Sequence, residues 1–493
     1  MTLPSQLEDE QFRTPLFDAM VNLAESRKVS FHTPGHKSGK GISTRFRKFV
    51  GPRIFSIDLT TLDEVDSLQN PSGVIKEAQE LAARACGADR SYFLVNGTTV
   101  GNHAMVASAT GPGDRVLVAR NCHRSVLTGL IVSGAQPVFF HPVFDHDLKL
   151  TLNVTLEAVT AALDAHPDAK ALLVTSPNYY GLCADLPKII SSAHGRGMVV
   201  LVDEAHGPHL KFHPKLPRCA LDAGADLCVQ STHKIVGGMT QASMLHAREG
   251  RVDVDDITNT LKLLQTTSPS YILMASLDLA RMQMATEGKK LLDKTIKLAE
   301  DARTKIRAIP GLACFATEQA RAAGMADMDV TKLTITVSGL GLSGYQVSQI
   351  LNTDYDIQVE MADPFHILVI VSIGDRRDDL TRLVEALRMI AGKSGHTGSY
   401  LPLDNVHPPS LENRFLMTPR EAFYSDDELV SLDTAAGRVS SEIVTVYPPG
   451  IPLLVPGEEI SADAIAYLKN MAGLGAIIDG LDGNNAQVSV VKV

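Results

Sequence analysis

Two stretches decide the fold: MVVLVDEAHG (198–207) and ADLCVQSTHKIVGG (225–238). Each opens on an unbroken apolar run and then breaks at once into acidic, basic and small polar residues. An apolar run without alternation is a strand covered on both faces, the pattern of a parallel sheet wrapped by helices. The polar residues behind such a run fall at the carboxyl end of the strand, where open α/β sheets hold their ligands. Asp203 ends the first run, with Ala205 and His206 behind it; Ser231, His233 and Lys234 follow the second.

Further runs lie on either side: SYFLV (91–95), RVLVA (115–119), PVFF (137–140) and ALLVT (171–175). Helical stretches such as VIKEAQELAARACG (74–87) and DLPKIISSAHGRG (185–197) separate most of them. This alternation predicts an α/β fold with a mainly parallel sheet. Residues 1–45 read as an N-terminal arm and 46–275 as the large domain. A long amphipathic helix over 276–309 leads into a smaller α+β domain, 276–392, with strands near LTITV (333–337) and ILVIV (367–371). Residues 393–413 are rich in Gly, Pro, Ser and Asn and read as a linker. A last unit, 414–493, carries strands near IVTVY (443–447) and PLLVP (452–456).

Composition narrows the function classes. The 493 residues carry a formal charge of −10, which argues against a nucleic-acid partner, since that needs a basic field. Cys86, Cys122, Cys183, Cys219, Cys228 and Cys314 are scattered, with no C-x-x-C pair, so neither a disulfide framework nor a zinc cluster is expected. The opening MTLPSQLEDEQFRTP is polar and acidic, unlike a signal peptide. No apolar run approaches the roughly 18 residues of a membrane span. The expectation is a cytoplasmic protein with no membrane partner.

The strand-end residues fall in an order that suits one cofactor, pyridoxal 5′-phosphate (PLP). Lys234 leaves a buried strand, and desolvation there favours the neutral, nucleophilic amine. A lone loop lysine is ordinarily a solvated surface group; the polar Ser231, Thr232 and His233 beside it shift the reading towards a phosphate site. Asp203 at a strand end could keep a pyridine nitrogen protonated; as a helix cap it would be ordinary. Its DEAH text also occurs in ATPases, but GHKSGKG (35–41) has the wrong spacing for a phosphate loop. Gly97, Thr98 and Thr99 follow another strand and open a helix, so their N–H groups and hydroxyls can cradle an anion. His123, in RNCHRS (120–125), could stack on the ring. His206, His209 and His213 have helical spacing for a metal, but Gly207 and Pro208 break that helix, and no metal is expected.

Taken together, the residues resemble the Orn/Lys/Arg decarboxylases, PLP enzymes of aminotransferase fold type I. The resemblance covers nearly the whole chain: FHTPGHKSG (31–39), NGTT (96–99), RNCHRS, VDEAHG (202–207), STHK (231–234), TTSPSY (266–271), MTPREAFY (417–424) and VYPPGIPLLVPGE (446–458). It is strongest to the short bacterial arginine decarboxylases. It implies a seven-stranded, mainly parallel PLP domain with smaller C-terminal α+β domains. It implies that Lys234 is the Schiff-base lysine, Asp203 the partner of the ring nitrogen and His123 the stacked residue. Ala205 would pack on the other face, and His206 would sit near the phenolic oxygen or the substrate carboxylate. Gly97, Thr98, Thr99, Ser231 and His233 would hold the phosphate, with His233 or Lys234 returning a proton to Cα. Thr266 would reach the phosphate of a neighbouring subunit, making a homodimer or higher homo-oligomer with shared sites. Glu458 would meet the basic end of the substrate.

The implied reaction is decarboxylation of L-arginine to agmatine in polyamine synthesis, a carboxylate pairing well with a guanidinium. Lysine or ornithine, giving cadaverine or putrescine, remain alternatives. An α-oxoamine synthase shares the DEAH-type strand end and the stacking histidine but lacks the MTPREAFY and PGE unit. An inactive homologue is the non-catalytic reading, against which the set of Lys234, Asp203 and His123 stands.

Overall fold

The computed structural model describes residues 10–26, 28–394, 409, 414–447, 450–484 and 486–492. The expected linker, 393–413, lies mostly outside them. The chain divides into two compact units: Met1–Ser108 with Glu204–Pro214 and Arg218–Leu292, and Ala109–Asp203 with Lys215–Pro217 and Asp293–Val493.

The elements that position the site follow one another as α1 (Pro15–Glu25), α2 (Val74–Cys86), β1 (Arg90–Leu94), α3 (Gly97–Ala109), β2 (Arg115–Ala119), α4 (Arg124–Ser133), β3 (Gln136–Phe140), β4 (Ala171–Thr175), α5 (Leu186–His194), β5 (Val199–Asp203), β6 (Leu227–Gln230), α6 (Thr232–Ile235), β7 (Ser243–Ala247) and α7 (Tyr271–Arg307). The seven strands make a mainly parallel main sheet, as the sequence predicts. In the second unit β5, β4, β2 and β3 pair in that order, all parallel. Every residue of β4 is buried, the signature of helices on both faces. Thr175 stands opposite Asp203 at the carboxyl ends of β4 and β5.

In the first unit β7 lies between β1 and β6 and runs antiparallel to both. α3 packs against β6 at Gly101, where a Cβ would come within 2.3 Å of Val229 Cγ2. A larger residue there would lift the amino end of α3, and with it Gly97 to Thr99, off the sheet. The long helix α7 begins at Tyr271, earlier than the sequence suggests, because Tyr271, Met274 and Ala275 bury in the same core as Leu16 and Met20 of α1. Asp278 of α7 accepts from the N–H groups of Leu16 (3.1 Å) and Phe17 (3.4 Å) at the start of α1. Arg281 bonds that carboxylate at 2.6 Å and the carbonyls of Gln11 and Arg13, so the arm is fastened by a buried ion pair.

The rest of the second unit includes two further β-rich cores. β8 (Ala313–Cys314), β9 (Lys332–Thr336), β10 (Met361–Ala362) and β11 (His366–Ile370) form an antiparallel sheet in the order β8-β9-β11-β10. The last core gathers β12 (Asp427–Ser431), β13 (Val444–Tyr447), β14 (Ile451–Leu454), α8 (Ala462–Gly473), β15 (Ile477–Asp479), β16 (Leu481–Asp482) and β17 (Gln487–Val491). Its strands pair as β12-β17-β16 and β14-β13-β15.

Candidate active site

Lys234 and the residues around it come from the turns after β1, β5 and β6. Lys234 sits on the single turn α6, half-buried, with Nζ 3.0 Å from His206 Nε2. His206 is buried. Two bonds hold the VDEAH and STHK turns against each other. The Ser231 N–H donates to the Ala205 carbonyl (3.2 Å), and the Glu204 N–H donates to the Val229 carbonyl (3.0 Å). The buried Glu204 carboxylate adds a third link, accepting from Gln230 Nε2 and from the Ala220 N–H, both at 2.7 Å. Glu204 and Gln230 were not singled out from the sequence; the only signal was a second acid after Asp203 at a strand end.

The hydroxyls cluster at the start of α3. Thr98 Oγ1 bonds Ser231 Oγ and, at 3.2 Å, Ser243 Oγ. Thr99 is exposed on the first turn, and Gly97 has a positive φ of 67° with no atom within 4 Å of where a Cβ would stand. The Gly97 N–H is taken by the Gln241 carbonyl (2.9 Å), but the next N–H groups of this 13-residue helix lack acceptors within it, so this corner can receive an anion. His233 Nδ1 lies 3.0 Å from the Ala242 carbonyl. A carbonyl only accepts, so Nδ1 carries the proton and Nε2 presents a lone pair. Burial lowers the pKa of His233, with the neighbouring Lys234 charge adding to the effect and the Ala242 bond opposing it, which keeps the ring neutral at pH 7. Thr266 is exposed, its carbonyl accepting from Gln69 Nε2 (2.9 Å) and its hydroxyl from the Ser268 N–H (3.1 Å). Among the described residues, no hydrogen bond joins it to the other candidate residues of its unit.

Three candidates belong to the second unit. Asp203 ends β5 and is buried. His123 is the N-cap of α4, its Nδ1 accepting from the Ser125 N–H (3.2 Å) and lying 2.8 Å from Ser125 Oγ, which fixes the ring. Glu458 is 3% exposed and forms an ion pair with Arg120 at 3.2 Å. Arg120, which sequence reading passed over, also donates to the Pro452 and Leu453 carbonyls at 2.6 and 2.9 Å. It thus ties the loop that carries His123 to the C-terminal core. Among the described residues no group of three His, Cys, Asp or Glu is placed to hold a metal ion, and no helix is long and apolar enough to cross a membrane.

The model of the Orn/Lys/Arg decarboxylase major domain matches residues 14–379, and that of the family's C-terminal domain matches 410–484. An arginine decarboxylase of Halalkalibacterium halodurans is 45% identical over 466 residues, covering 94% of this chain and 95% of the relative. One from Bacillus subtilis is 44% identical over 483 residues, 98% of each. Among solved structures, lysine decarboxylase A from Pseudomonas aeruginosa superposes with a TM-score of 0.85 at 24% identity, over 98% of this chain and 81% of that one, a likeness of fold.

Proposed function

From the premise that the chain belongs to the Orn/Lys/Arg decarboxylase family, we propose that it is a PLP-dependent enzyme that removes the α-carboxyl group of L-arginine, giving agmatine and carbon dioxide. The observation that carries the reading is near-full-length identity of 42–45% to relatives named arginine decarboxylase.

The residues present fit the cofactor: an amine held at 3.0 Å from a buried imidazole, beside an anion corner that a Cβ at Gly97 would not obstruct. PLP supplies an electron sink for the pair left behind when the carboxyl group departs. Lys234 anchors it through Nζ, and His206 orients that nitrogen. Gly97, Thr98, Thr99, Ser231 and His233 bind the phosphate, with Thr98 and Ser231 also fixing each other. Asp203 holds a proton at the ring nitrogen. His123, its ring locked by Ser125, stacks on one face and Ala205 packs on the other. Lys234 Nζ, or His233 Nε2 after it has taken up a proton, delivers the proton that replaces the carboxyl group on Cα. Glu458 meets the substrate's cationic end through Oε1, which has no partner among the described residues, while Oε2 stays with Arg120.

The reading extends to a cytoplasmic homodimer in polyamine synthesis, in which Thr266 of one subunit completes the phosphate site of the next. Its exposure supports that role. The test is to incubate purified, PLP-loaded protein with arginine, lysine and ornithine in separate reactions. Agmatine is the expected product; cadaverine or putrescine alone would overturn the substrate, and no amine from any of the three would overturn the activity.

A further inference from the structure

The second unit contains a cavity of about 380 Å³ that the proposed reaction does not use. Six aromatic rings, His141, Phe144, Tyr180, Tyr345, Phe365 and Tyr467, dominate its wall, with aliphatic side chains between them, and burial lowers the pKa of His141. His123 is not among its lining residues; Asn121, two positions earlier in the same loop, is. Asn121 is only 5% exposed, yet neither its amide oxygen nor its amide nitrogen has a partner among the described residues. A buried amide with both ends unpaired costs on the order of 1–3 kcal/mol per group, unless something in the cavity bonds it.

The charged groups of the wall are already engaged. Arg120 is bound to Glu458 and two carbonyls. Asp363 accepts from Tyr180 Oη (2.9 Å), from the His366 ring and from two backbone N–H groups. Lys149 stands over the Phe365 ring, 4.9 Å from its centre. Among the described residues, the wall's buried polar atoms without a bond are the Asn121 amide, the Tyr345 hydroxyl and Arg120 Nε, the charge of Arg120 being met by Glu458. Cavities of about 300 Å³ and more hold drug-sized ligands, and one of about 150 Å³ holds a benzene ring, so the space suits a ring with substituents.

We propose that this cavity is a second binding site, for a small uncharged aromatic or heteroaromatic molecule. The ligand's edge carries a hydrogen-bond donor beside an acceptor, as in a lactam or ring carboxamide, and Asn121 reads both. An amide side chain offers a donor and an acceptor side by side, the pairing that recognises such an edge. The aromatic wall favours a flat partner through offset or edge-to-face contacts. Because Asn121 shares a loop with His123, occupancy there bears on the residue assigned to the cofactor ring.

The test is calorimetric titration of the PLP-loaded protein with benzamide, 2-pyridone and toluene, the last being a ring without the amide edge. Saturable one-to-one binding of benzamide or 2-pyridone is expected, weakened at least tenfold by Asn121→Leu, with toluene indifferent to that change. Ile451→Phe, which narrows the cavity from the C-terminal core, should weaken all ring probes and carries the test if Asn121→Leu does not fold. Failure of both amide probes to bind, or binding that neither substitution weakens, would overturn the site. So would toluene binding as tightly as benzamide. None of these measurements depends on amine production, so their failure leaves the decarboxylase reading where it stands.

Discussion

Glu458 places two demands on one carboxylate. Burial pushes its pKa up, and Arg120 pulls it back only in part. The pair is buried on both sides, with side-chain exposures of 3% and 4%. Removing one member of such a pair strands the other charge and costs about 3–5 kcal/mol, more than the pair is worth against an apolar replacement. Glu458→Gln should therefore lower stability by about 3 kcal/mol in chemical denaturation, since the amide keeps an acceptor for Arg120 but no charge. If Oε1 also meets the guanidinium of arginine, the same variant raises KM for arginine about tenfold or more, as expected for loss of a charge-assisted bond. An unchanged KM alongside the stability loss would reduce Glu458 to the partner of Arg120. The sequence offered Glu458 through its PGE motif. It hid Arg120, whose partner is 338 positions away. No spacing rule connects residues so distant.

At the level of elements, the strands were legible where both faces are buried, because continuous apolar text such as ALLVT leaves no other economical reading. β7 was not, although all five of its residues, SMLHA, are buried. Its serine and histidine look like surface positions until β1 is laid beside it: Ser91 pairs across the ladder with His246, Oγ to Nδ1 at 2.7 Å. α7 begins at Tyr271, ahead of the amphipathic pattern that starts at Ser276, because YILMA (271–275) has no polar face of its own and becomes helical by packing against α1. Burial lowers the pKa of His246 to about 4. In the unfolded chain it takes up a proton near its ordinary value of about 6.5. Stability from this group is therefore complete above pH 6.5 and falls as pH drops towards 4, by about 2 kcal/mol at pH 5. Denaturation midpoints at pH 7.5 and pH 5 should differ more for the native protein than for His246→Gln, which keeps an acceptor for Ser91. Equal pH sensitivity of the two would show that His246 does not carry the effect.

At the scale of the whole molecule, the question is whether one chain makes a complete site. Within the first unit, Val29, Phe31, Phe46, Phe49 and Leu263 are exposed, Phe31 and Phe49 by at least 90%. In the proposed homodimer, a closed twofold pairing that covered these side chains would bury them in both copies at once. Thr266, two positions beyond the end of the Leu263-bearing helix Val254–Leu264, would then face a second chain. The two subunits can be made to report on this directly. Lys234→Ala should abolish amine production, and Thr266→Val should weaken PLP binding about tenfold through loss of one phosphate bond, leaving little activity at limiting cofactor. If Thr266 serves the neighbour's site, a hybrid of the two variants has one site lacking both groups and one site fully intact. Random reassociation of equal amounts makes half the dimers hybrid, so the pool should recover about a quarter of native activity at limiting PLP. If Thr266 instead serves its own chain, every hybrid site lacks one group, and mixing restores nothing beyond the average of the two parents. Separate unfolding and refolding of each variant before assay fixes that baseline, so recovery above it can come only from a lysine and a threonine on different chains.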